Sequence, residues 1–68
     1  MNVSDVEERL REIRDESDDD EVAHGMEDDL HRKVLGAIAD GSVPLNEVSA
    51  MCRMALTSDE IDFARGNA

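Results

Sequence analysis

The sequence predicts an all-α protein, a small bundle of three to four helices, and three observations carry the prediction. Apolar residues recur at spacings of three and four in separate stretches, which stacks them on one helical face. Stop and start signals fall between those stretches. No alternation of apolar and polar residues lasts long enough to make a strand, and no internal repeat is visible.

The first helix is expected to end near Arg14, after starting close to Asn2. Ser4 and Glu7 stand at capping-box spacing, each able to satisfy an orphaned backbone N–H. Val3, Val6, Leu10 and Ile13 then form a narrow apolar seam. Asp5 with Arg9 and Glu7 with Arg11 stand one turn apart, acid first. So short a helix is not stable alone, and its seam requires a cover.

Residues 15–20 read as an acidic linker. Negative charge opposes a helix C-terminus and favours an N-terminus, so Asp19 or Asp20 is expected to cap the next helix. The central helix, residues 21–40, organises the molecule, with an apolar stripe of Val22, Met26, Leu30, Val34 and Ile38 beside Ala23 and Ala37. Gly25 and Gly36 each cost it about 1 kcal/mol relative to alanine. Gly36 lies beside Ala37 and Ala39, where another helix can approach; Gly25 marks a place to fray or begin. Asp40-Gly41 is the stop, with Gly41 suited to a left-handed C-cap.

A third helix over residues 44–56 is expected to be capped by Ser42, with Pro44 in its first turn. Leu45, Val48, Cys52 and Ala55 make one stripe, and Met51, Met54 and Leu56 widen it beyond a single face. A short fourth helix over 58–65 follows from a second capping box, Thr57 with Glu60. It is expected to bury Ile61 and Ala64, hold Phe63 at the core edge and end at Gly66.

Composition bounds the function. The 68 residues make one small domain, Cys52 is the single cysteine, and Phe63 is the single aromatic residue. A chain this short buries only about 60% of its unfolded surface, and no disulfide supplements the core. Self-association or a partner is therefore expected to complete the fold, and the chain is expected to form a homo-oligomer. Val6, Leu10, Ile13, Met51, Met54 and Leu56 are the candidate apolar contact residues. A lone thiol suits a reducing compartment. The acidic N-terminus lacks the pattern of a secretory signal, and no apolar run is long enough to span a bilayer. A cytoplasmic protein that contacts no membrane is expected.

The net charge is −11, and it is lopsided: residues 1–30 hold 13 acids and 3 arginines, whereas residues 31–68 hold 5 acids and 4 bases. Such a field repels nucleic acid and attracts basic proteins. Asp15, Glu16, Asp18, Asp19, Asp20 and Glu21 are the candidate partner-binding residues, a phosphate-like array for a basic protein.

His24, Asp28 and His31, at spacings of four and three, project from one helical face beside Glu27. Imidazole and carboxylate suit zinc or iron. Two histidines and one acid on a single helix leave the set incomplete, and the third helix adds only Glu47, so neither metal nor cofactor is expected. No nucleophile–base pair and no phosphate-binding glycine loop occurs. An enzyme is not expected.

From Glu27 to Ala68, the run EDDLHRKVLGAIADG followed by LTSDEIDFARGNA resembles small acidic open reading frames of actinobacterial phages. Their similar ending is an E-I-D-F-A-R segment followed by an aromatic residue and a cysteine. Residues Glu60 to Arg65 match it, while Gly66 and Asn67 depart. The resemblance implies expression inside a bacterial host and brings no activity, the family being uncharacterised. Composition alone also fits a haloarchaeal protein, Lys33 being the single lysine.

Overall fold

The computed structural model describes residues 1–65. Its elements are α1 (Val3–Asp15), α2 (Asp20–Ala39), α3 (Leu45–Leu56) and a 3-10 turn (Thr57–Glu60), followed by a non-helical segment, 61–65. The three α-helices pack against one another, and no strand occurs among the described residues. The protein measures 34 × 21 × 14 Å, and the longest axis matches the roughly 30 Å of a twenty-residue helix. No helix among the described residues is long and apolar enough to cross a membrane.

The seam of α1 enters the core as expected: Val6, Leu10 and Ile13 are buried, and Val3 packs against them half-buried. Its cap lies two residues earlier than expected. Asn2 Oδ1 accepts from Asp5 N–H at 3.0 Å, and Asp5 Oδ2 accepts from Asn2 N–H at 2.9 Å. Asparagine caps as well as serine, and the earlier start brings Val3 into the helix. The surface pair formed is Arg9 with Glu12 at 3.4 Å.

The buried face of α2 is rotated from the expected stripe. Ala23, Glu27, Leu30 and Val34 are buried, Met26 and Ile38 are half-buried, and Val22 is 43% exposed. Each neighbouring position is 100° around the axis, so centring the face on 23-27-30-34 turns Val22 outward. The end of α2 is as expected: Gly41 has φ +75°, its N–H donates to Ile38 C=O at 3.1 Å, and Ser42 N–H donates to Ala37 C=O at 3.1 Å. This paired closure is a Schellman motif.

Ser42 is thereby drawn away from capping α3. Its hydroxyl also donates to Ala37 C=O, at 3.0 Å, and the residue preceding α3 is Pro44, which makes no side-chain cap bond. Met51 and Ala55 are the buried residues of α3, with Val48, Cys52 and Met54 half-buried, while Leu45 is 92% exposed. Val43, in the connection, is buried as well.

The fourth helix over 58–65 is not formed. The hydroxyl of Thr57 donates to Met54 C=O rather than capping forward, and the 3-10 turn stops at Glu60. Ile61 and Phe63 are buried while Asp62 and Ala64 are exposed. That period of two requires extended chain, because a helix would point residues 61 and 63 about 200° apart. The expected stop at Gly66 lies outside the described residues.

Candidate functional site

The acidic run is a tight connection at one end of the molecule. Asp15 closes α1 and Asp20 opens α2, so four residues make the turn. Glu16 N–H donates to Glu12 C=O at 3.2 Å, Ser17 N–H to Arg14 C=O at 3.2 Å, and Asp19 N–H to Glu16 C=O at 3.0 Å. Asp15, Glu16, Asp18, Asp19, Asp20 and Glu21 are all exposed, and none has an ion-pair partner among the described residues. Two of them also hold the fold. Asp19 caps α2 by accepting from Val22 N–H at 3.2 Å, and Asp20 Oδ1 accepts from Ala64 N–H at 3.0 Å.

Further along α2, Glu27 is a buried carboxylate, 4% exposed. Arg65 spans it with both arms, Nε to Oε1 at 2.9 Å and a terminal nitrogen to Oε2 at 3.1 Å. The same guanidinium donates to Ser58 C=O at 2.7 Å, Ile61 C=O at 3.1 Å and Phe63 C=O at 3.2 Å. It lies 4.0 Å from the Phe63 ring centroid, a cation–π distance. One arginine thus reads a carboxylate and three carbonyls, clamping segment 61–65 onto α2.

Burial alone raises the Glu27 carboxyl above its ordinary value. Hydrogen bonds from Arg65 and Ser58, with the charges of Arg65 and His31, outweigh burial and hold it below the usual carboxylate range. The hydrogen bond to Glu27 raises Arg65 in turn. His31 Nε2 lies 3.1 Å from Ser58 Oγ. No buried side-chain polar atom among the described residues lacks a partner.

His24, Asp28 and His31 are not gathered into one site. His24 and Asp28 approach to 3.7 Å on the exposed face, while His31 turns inward to Ser58. Among the described residues no group of three potential ligands is placed to hold a metal ion.

Of the candidate apolar contact residues, Val6, Leu10, Ile13 and Met51 lie in the chain's own core and Met54 is half-buried. Leu56 is outward, 62% exposed, and so is Leu35 at 66%. Leu35 lies 100° round the helix from Val34 and off the apolar stripe of α2, so periodicity assigns it no role. Glu27 escaped the sequence reading as one acid among many. The available signal was its register, four residues after Ala23 and three before Leu30. Comparison with protein-family models, with curated proteins and with solved structures gives no match to this chain.

Proposed function

We propose that this chain is a small acidic interaction protein, phage-encoded and acting in the cytoplasm of a bacterial host, that binds a basic host protein and mimics nucleic acid. The observation that carries the reading is the junction of α1 and α2, where the six carboxylates of Asp15, Glu16, Asp18, Asp19, Asp20 and Glu21 are exposed without ion-pair partners among the described residues. Unneutralised charge of one sign attracts a basic surface. The origin rests on the resemblance of the C-terminal forty residues.

The test is capture from a bacterial lysate on the immobilised chain at low and moderate salt, with duplex DNA as competitor. Capture is expected to fall by about tenfold or more as salt rises from about 50 to 200 mM, and DNA is expected to release the captured protein. Replacing Asp18, Asp19 and Asp20 together by asparagine removes three charges and retains side-chain oxygens for the cap and for Ala64 N–H. That variant is expected to lose capture while keeping its helix content. Capture indifferent to salt, DNA and the triple substitution overturns the reading.

A second reading, a self-assembling module, is favoured by a separate observation: Leu35 and Leu56 are exposed on adjoining helices.

A further inference from the structure

Segment 61–65 is attached to the molecule differently from the chain before it. Among the described residues, no backbone–backbone hydrogen bond joins it to α1, α2 or α3. Its one such bond, Ile61 N–H to Ser58 C=O at 3.0 Å, stays within the turn that leads into it. Two carboxylates of α2 make its polar ties to the helices. Asp20 Oδ1 accepts from Ala64 N–H at 3.0 Å, and Glu27 accepts from Arg65 at 2.9 and 3.1 Å. The apolar ties are the side chains of Ile61 and Phe63, both buried.

The remaining bonds of Arg65 point back into its own stretch of chain. Ser58, Ile61 and Phe63 supply carbonyls, and the guanidinium lies over the Phe63 ring. Those contacts shape the segment without fastening it. When Glu27 lets go, the guanidinium keeps its carbonyls and the stretch leaves as one body. The helices retain contacts of their own: Val6, Leu10 and Ile13 of α1, Leu30 and Val34 of α2, and Met51 and Ala55 of α3 still pack together.

We infer that residues 61–65 form a strap that opens and closes over α2 as one body while the three helices stay folded, and that its opening uncovers Glu27. Segments with few apolar contacts and no backbone ladder open at a lower free energy than the whole domain. Asp20 and Glu27 stand seven residues apart, two turns along one face of α2. Asp20 already belongs to the exposed carboxylates of the α1–α2 junction. An open strap therefore extends that array along the helix by about 10 Å, and a closed one withholds the extension. The opening itself does not depend on what the array binds.

Phe63 is the single phenylalanine, so incorporation of 4-fluorophenylalanine places one fluorine in the strap of the full chain. Fluorine relaxation dispersion and saturation transfer at neutral pH are expected to show a second state at about 1% population, with the chemical shift of the unfolded chain. Between 0 and about 2 M urea that population is expected to change less than about twofold, because little surface is uncovered, whereas loss of all three helices would raise it about tenfold. Glu27→Gln keeps the shape of the side chain and removes the charge that strengthens both arms of the clamp. It is expected to raise the open population about tenfold and to leave the helical circular dichroism as in the original.

A second state that rises steeply with urea overturns the inference, because Phe63 then leaves only when the helices do. So does the absence of any second state above about 0.1%, or an open population that Glu27→Gln leaves unchanged. The urea series uses the unsubstituted chain, so it decides the matter even where Glu27→Gln does not fold. No partner is present in these measurements, and their failure leaves the basic-partner reading standing.

Discussion

Glu27 sits where a leucine would satisfy the helix pattern, and the cost of burying its charge is met by a residue 38 positions later. Removing that partner is the informative perturbation. Arg65→Ala strands the carboxylate, and a buried acceptor without its partner costs on the order of 1–3 kcal/mol. A double replacement, Glu27→Leu with Arg65→Met, removes both charges and is expected to recover most of the loss. Urea midpoints of the original chain and of these two variants check this, and a double variant no better than Arg65→Ala contradicts it. Acid is a second route to the same pair. The folded carboxyl titrates below its unfolded value, so its contribution is complete above the unfolded value of about 4.3 and is lost as pH falls through the folded one. The stability difference between the original chain and Glu27→Gln is therefore expected to stay constant near neutrality and to shrink below about pH 4. Using the difference cancels the titration of the exposed carboxylates.

At the scale of the helices, local chemistry was legible where one signal stood unopposed. The α1 seam repeats without interruption, and Asp40-Gly41 has no competing use, so both could be read directly. Where two elements want the same residue, sequence order does not say which obtains it. Ser42 suits the start of α3 but closes α2, and Thr57 suits a forward cap but bonds backward to Met54. The tail looked helical because Thr57 and Glu60 are spaced for a capping box. Its extended form depends on Ile61, Phe63 and Arg65 all finding partners on distant elements, which no local window contains. The acidic turn was legible as charge, but its order was not, since backbone bonds from Glu16, Ser17 and Asp19 supply it. The helices also carry a removable weakness. A Cβ added at Gly25 meets nothing within 4 Å, so Gly25→Ala is expected to stabilise the chain by about 0.5–1 kcal/mol, raising the melting temperature by roughly 4 °C. Gly41→Ala, at φ +75°, is expected to move it the other way by a similar amount. Thermal denaturation of both variants decides the matter.

For the molecule as a whole, excess charge and a slight core work against each other. At net −11 the compact state repels itself, and added salt screens that repulsion. Raising sodium chloride from about 20 mM to 500 mM is expected to raise the melting temperature by about 5 °C, and a flat or falling trend would show that the carboxylates are already too far apart to matter. The pairing of Glu27 with Arg65 has a further consequence, in time rather than energy. Contacts between remote parts of a chain tend to form after local ones, so a clamp joining α2 to the segment beyond α3 is expected to close over helices that have already met. Interactions absent at the folding barrier leave the forward rate alone and slow escape from the finished state. Arg65→Ala is therefore expected to quicken unfolding far more than it slows refolding, as stopped-flow rates of the variant and the original chain would show.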